Sequence, residues 1–268
     1  MKAVGYHESL PITEARSLLD MELPDPRPAG RDLLVQIRAI SVNPVDTTMR
    51  MRSTPAPGVP GVLGWDACGV VTETGAEATL FQPGDEVWYA GSIARPGTNS
   101  ELHLVDERIV GRKPRSLDFA QAAALPLTSI TAWELLFDRL GVAPGKQHSD
   151  QSLLIVGAAG GVGSILTQLA HRLTGMRVIG TASRPATAEW VRSLGADEVI
   201  DHSRPLAEEL RRAGIPDVTH VASLTMTDLH FPEIVEALAP QGRLALIDDP
   251  GPIDIGQLKR KSLSLHWE

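Results

Sequence analysis

The stretch from Ser152 to Ser164, SLLIVGAAGGVGS, holds the residues whose types and spacing point most directly to chemistry. Leu153 to Val156 form a short apolar run of the kind buried in a parallel sheet. Beyond the glycine-rich break, Val162, Ile165, Leu166, Leu169 and Leu173 recur on one helical face. A strand, a glycine turn and a helix start together make an anion site. The first helical N–H groups have no partner inside the helix, and the dipole turns its positive end toward the break. The residues fit A-x-G-x-x-G with Ala158, Gly160 and Gly163 at the three positions. The diphosphate of a dinucleotide is therefore expected against Gly160, Gly161, Val162 and Gly163. A tight strand-to-helix turn with no ligand would use the same residues, but the flanking strand and helix favour the nucleotide.

The next strand suggests which dinucleotide. Arg177 to Thr181 (RVIGT) leads into Ala182, Ser183 and Arg184. A site for NAD usually carries Asp or Glu here, accepting from the ribose 2′-hydroxyl. Ala182 offers no carboxylate, whereas Ser183 and Arg184 can donate to a 2′-phosphate. A hydrogen bond to a charged group contributes about 1.5–3 kcal/mol, a ten- to hundredfold preference. NADPH is the expected cofactor; the plainer role for Arg184 is a solvated turn residue.

These residues need elements to hold them, and the chain has two kinds of grammar. Up to about Leu117, Leu33 to Ile40, Gly69 to Thr74, Glu86 to Ala90 and Glu101 to Val105 read as strands separated by turns such as Pro83-Gly84-Asp85. That rhythm predicts a mostly antiparallel β domain over 1–118. From Asp118 onward helices and strands alternate. Helices are expected at 118–124, 129–140, 186–194, 206–213 and 231–238, and strands at 153–156, 177–181, 198–200, 218–222, 243–247 and 262–267. Repeated βα units imply an α/β fold, a doubly wound parallel sheet of Rossmann type over 119–268. Pro55 to Pro60 reads as a flexible loop.

The 268 residues are 43% hydrophobic and 22% charged, enough for one large or two medium globular domains. A net charge of −8 argues against nucleic-acid binding. No apolar stretch is as long as a membrane span, and MKAVGYHESL lacks a signal-peptide layout, so a cytoplasmic protein is expected. Cys68 is the single cysteine, which excludes an internal disulfide and fits a reducing compartment. The eight histidines, His7, His103, His148, His171, His202, His220, His230 and His266, are scattered without the short spacings of zinc ligands. No bound metal is expected.

A β domain ahead of a Rossmann-like domain with the AAGGVG turn resembles the medium-chain dehydrogenase/reductase superfamily. SVNPVDTTMR (41–50) is similar to the NPxD/E segment of its quinone oxidoreductase branch, and GWDACGVV (64–71) to its G-x-[DE]-x-x-G segment. FQPGDEVW (81–88) and ALPLTSITAWELL (124–136) are also family-like. The resemblance covers nearly the whole chain and is nearest to the zinc-type alcohol-dehydrogenase-like proteins. Zinc alcohol dehydrogenases draw a cysteine ligand from the first segment and carry Gly-His-Glu in the second, where this chain has Trp65.

What the resemblance implies is a GroES-like domain before the Rossmann domain, nicotinamide near Thr128 and Thr131, and Asn43, Asp46 and Tyr89 around the substrate. Each has a structural alternative. Asn43 before Pro44 can shape a turn, Asp46 can cap the segment after it, Tyr89 can be core, and Thr131 can simply start a helix. Without zinc, an electrophilic acceptor is expected: a quinone or an enone, with Asn43 or Tyr89 donating one hydrogen bond to the developing negative oxygen. Alcohol oxidation, enoyl reduction or cofactor binding without turnover are the alternatives. Family members usually continue well beyond Glu268, so this form is expected to be a less stable fragment that self-associates through an outer strand, as homodimers of the branch do, with impaired turnover.

Overall fold

In the computed structural model, which describes residues 1–147 and 150–268, the chain forms two compact units, Met1–Leu127 and Thr128–Glu268. His148 lies outside the described residues.

The first unit holds two antiparallel sheets. Strands β1 (Lys2–Tyr6), β2 (Leu19–Glu22), β3 (Asp32–Ser41), β4 (Gly61–Val62), β5 (Asp66–Thr74), β6 (Glu86–Ala90), β7 (Leu102–Asp106) and β8 (Gly111–Arg112) are ordered β2-β1-β4 and β7-β3-β5-β6-β8. One face of the larger sheet buries Leu33, Val35, Val71, Val87, Tyr89 and Val105 in a single cluster. The other face carries Cys68 and Trp88 and packs on Ala122 and Ala123. Those alanines belong to helix α2 (Phe119–Ala123), whose N-terminus is capped by Asp118 through Gln121 N–H at 2.7 Å. Because α2 packs against β3 and β5, the first unit runs to Leu127, past the boundary expected at 118.

Helix α1 (Pro44–Arg52) has no counterpart in the elements expected from sequence. Its apolar residues do not form a stripe, so no helical period marks it. It starts from local chemistry instead, with proline at its first position, where no N–H is needed, and Asp46 Oδ2 accepting from Asn43 N–H at 2.7 Å. The cap reading of Asp46 is thus the geometry found.

Helix α3 (Pro126–Trp133) continues as a π-helical turn, Glu134–Arg139. The second unit then runs β9 (Ser152–Val156), α4 (Gly161–Leu173), β10 (Arg177–Thr181), α5 (Pro185–Ser193), β11 (Glu198–Ile200), α6 (Leu206–Arg212), β12 (Val218–Ser223), α7 (Thr227–Ala237), β13 (Leu238–Leu246) and β14 (Ser264–Trp267). Its six strands are all parallel, in the order β11-β10-β9-β12-β13-β14. This is the doubly wound order that reverses direction beside its first strand, where such sheets take their ligands. Ser152 and Thr219 lock the central pair, Ser152 N–H donating to Thr219 Oγ1 and that hydroxyl to Ser152 O, both at 2.9 Å.

Helix α7 begins at Thr227, ahead of the expected Phe231, and contains Pro232. The real start is fixed from afar, by Asp248 Oδ2 accepting from Thr227 N–H at 2.9 Å. Among the described residues no helix is long and apolar enough to cross a membrane.

Candidate functional site

Two groups of residues, one in each unit, carry the chemistry. In the second unit the turn between β9 and α4 is made by Gly157, at φ +85°, a conformation that favours glycine. The A-x-G-x-x-G register assigned the first position to Ala158; the residue that bends the chain is the one before it. Gly163 fills the role of close packing. A Cβ there would lie 2.5 Å from Gly157 O and 2.7 Å from Ala158 C and Cα. Gly160 is the N-cap of α4 and supplies no side-chain cap, so the N–H groups of Gly161, Val162 and Gly163 open the helix without a side-chain acceptor. Thr128 stands beside them: its Cγ2 would be 3.1 Å from a Cβ on Gly161. Thr131 is half-buried further along α3.

A recess of about 210 Å³ adjoins the turn, lined by Gly160, Thr181, Ser183, Arg184, Thr187 and His202 among others. The structure therefore places Ser183 and Arg184 beside the glycine turn. It adds Thr181 and His202, which sequence reasoning missed. Gly157 N–H donates to Thr181 Oγ1 at 3.0 Å, and His202 Nδ1 lies 3.1 Å from the same oxygen. Neither contact leaves a trace in spacing, since His202 reaches the turn only through the pairing of β10 with β11.

In the first unit, Asn43, Asp46 and Asp66 meet. Asn43 Nδ2 donates to Asp66 Oδ2 at 2.7 Å, and Leu127 N–H donates to Asp66 Oδ1 at 2.7 Å. Asp66 is wholly buried, and desolvation pushes its carboxyl up to about 6, with Asp46 acting in the same direction. Burial likewise raises Asp46 above the usual carboxylate range. Asn43 is 7% exposed, and its second Nδ2 hydrogen has no acceptor among the described residues. Asp66 appears within a sequence motif but not among the expected site residues. A lone acid in an otherwise apolar strand, WDACGVV, was the signal available.

Tyr89 does not join this group. It pairs with Ala67 on the opposite face of the sheet from Asp66 and is 2% exposed within the apolar cluster. His103 Nε2 faces Pro96 O at 3.0 Å, so Nε2 carries the hydrogen and Nδ1 accepts from Tyr89 Oη at 2.9 Å. Burial pushes the Tyr89 hydroxyl up and the His103 imidazole down to about 4. The hydroxyl is already spent on a neutral, buried histidine, which corrects its expected place near the substrate. Tyr89→Phe should therefore cost about 1–3 kcal/mol of stability by orphaning His103 Nδ1, with turnover at neutral pH unchanged. Loss of kcat at unaltered thermal stability would return Tyr89 to the site.

A family model for the alcohol dehydrogenase GroES-like domain matches residues 29–115, and one for zinc-binding dehydrogenase matches 161–265. A zinc-type alcohol dehydrogenase-like protein of Staphylococcus epidermidis is 39% identical over 270 residues, covering 100% of this chain and 80% of its own. The chain belongs to the medium-chain dehydrogenase/reductase superfamily. Among solved members of the superfamily, a Rhizobium etli CFN 42 protein assigned as a zinc-dependent alcohol dehydrogenase superposes with TM-score 0.96 at 58% identity, over 100% of this chain and 78% of that one. Escherichia coli quinone oxidoreductase complexed with NADPH gives 0.85 at 27% identity, over 100% and 81%. This medium-chain dehydrogenase/reductase is an oxidoreductase.

Against the zinc members of the superfamily, the local chemistry of this one differs. Trp65, in the place of their histidine, is 4% exposed and donates its indole N–H to Ser92 O at 3.1 Å. Cys68 is fully buried, and burial pushes its thiol up to about 11, away from the thiolate a metal would need. Among the described residues no three His, Cys, Asp or Glu side chains are grouped to hold a metal ion.

Proposed function

We propose that this protein is a zinc-independent reductase that transfers hydride from NADPH to a quinone or to the β-carbon of an enone. The observation that carries this reading is Asn43, a buried amide with one unspent N–H in the segment from which zinc relatives take a cysteine ligand. An amide donor stabilises a developing negative oxygen but does not acidify an alcohol as a metal does.

The glycine turn fits the cofactor. Among the described residues beyond its chain neighbours, a Cβ on Gly160 would meet only Gly157 O, 3.4 Å away, so the space kept clear is the space in front of α4. The N–H groups of Gly161, Val162 and Gly163 would take the diphosphate, and Ser183 and Arg184 the 2′-phosphate. Bound NADPH supplies a hydride from its nicotinamide. On the substrate side, Asn43 donates to the oxygen that gains charge as hydride arrives, and a proton from water completes the hydroquinone or the saturated ketone.

The test is NADPH oxidation against quinones, enones and acyl-thioester enoyl substrates, and NADP⁺ reduction by alcohols, each with and without chelator. Turnover of quinones or enones that chelation leaves unchanged is expected. Alcohol oxidation that is lost with about one zinc per chain, or cofactor binding without turnover of any acceptor, would overturn the proposal.

A further inference from the structure

The reaction as proposed uses the Asn43 amide but gives no task to the buried carboxylate that holds it. We infer that Asp66 is a positioning residue, which fixes the rotation of the Asn43 amide so that its free N–H, and not its carbonyl, is offered to the oxygen of a quinone or enone. This inference rests on the reductase reading above.

An ionised carboxylate only accepts, so the atom of Asn43 that sits 2.7 Å from Asp66 Oδ2 must be Nδ2. The other oxygen, Oδ1, is already taken by Leu127 N–H at 2.7 Å. Both contacts on Asp66 come from N–H donors, and both favour the ionised carboxylate. Asp66 is rigidly placed, in a strand paired on both sides, with Ser41 and Ala90 as its cross-strand partners. Neither of these titrates; Asp46 on α1 is the ionisable group that acts on it. A carboxylate so deeply buried is costly to keep charged, and a purely structural link between β5 and α1 would be made at lower cost by a neutral side chain. What the charge adds is direction, because a carboxylate can only accept from the amide, whereas a hydroxyl or a protonated carboxyl can also donate to its carbonyl.

Protonation of Asp66 would remove the charge that holds the N–H and add an O–H able to donate to the amide carbonyl, which lets the amide turn over. Asp66→Asn has the same effect without a change of shape: its own Nδ2 can donate to Asn43 Oδ1 while its Oδ1 still accepts from Leu127.

The test is a double-mutant cycle on purified full chain, with Asp66→Asn, Asn43→Ala and the pair assayed for kcat and KM with NADPH and a quinone. Asp66→Asn should lower kcat roughly ten- to hundredfold with little change in KM, the range for one hydrogen bond to developing charge. In the Asn43→Ala background it should have no further effect, whereas a structural role would give losses that multiply. A second measurement stands if Asp66→Asn fails to fold. Wild-type kcat/KM should fall as pH drops through about 6, and Asn43→Ala should be flat over that range. Multiplying losses, or a pH dependence retained by Asn43→Ala, would overturn the role and leave the reductase intact. No turnover by the wild type would overturn both.

Discussion

Gly163→Val will cost the second unit about 3 kcal/mol, the upper end for overpacking, and NADPH binding will be lost with it. The atoms that a Cβ would strike, Gly157 O and Ala158 C and Cα at 2.5–2.7 Å, are all backbone. Backbone in a turn tied to β9 cannot swing aside as a side chain does, so α4 must lift away from the sheet. That movement also carries off the N–H groups of its first turn. Urea unfolding and a fluorescence titration with NADPH measure the two effects. Gly160→Ala is the contrast, since its Cβ meets protein only at 3.4 Å. Its stability should stay within about 1 kcal/mol of wild type while NADPH affinity drops, if the methyl group enters the space proposed for the diphosphate. Equal destabilisation by the two changes would mean that Gly160 serves packing alone.

Arg184→Ala should weaken NADPH roughly ten- to hundredfold and leave NADH within about twofold. Arg184 is the N-cap of α5, but its side chain makes no cap bond, and Pro185 follows at the first helical position. Removing the guanidinium therefore leaves the helix start as it was, with stability expected within about 0.5 kcal/mol. Isothermal titration with both cofactors decides it. If both weaken alike, Arg184 acts through the shape of the turn and the 2′-phosphate assignment fails.

The fold was legible where apolar period and punctuation agree. Glu86–Ala90, Arg177–Thr181 and Glu198–Ile200 are strands over the very residues expected. β1 and β2 escaped notice because KAVGY and LDME, five and four residues long, are too short for a period to stand out; β1 gains its place by pairing with β2 and β4. β13 was expected from Arg243, where the regular ladder with β12 does begin, but the strand extends back to Leu238 across a register shift. The site was half legible. Type and spacing after the glycine turn flagged Ser183 and Arg184, and the family resemblance of their segment flagged Asn43 and Asp46. Asp66 and His202 matter through contacts made across a sheet, which spacing does not encode, and Tyr89 differs from a site residue only in the face its strand turns inward.

The position of β9 in the middle of its sheet has a consequence for a chain made from one end. β9, β10 and β11 are consecutive in sequence and adjacent in space, so half of the sheet has its neighbours as soon as Ile200 has left the ribosome. The other side of β9 must wait for β12, whose Thr219 reaches Ser152 across 67 residues. Closing so long a loop carries an entropic cost that local pairings avoid. Until then β9 presents an open edge of Leu153 to Val156 to whatever else is nearby. The three hydroxyl-mediated bonds between Ser152 and Thr219 sit at the start of that late pairing, next to its Leu153–His220 rung, where they favour one register over a slipped one.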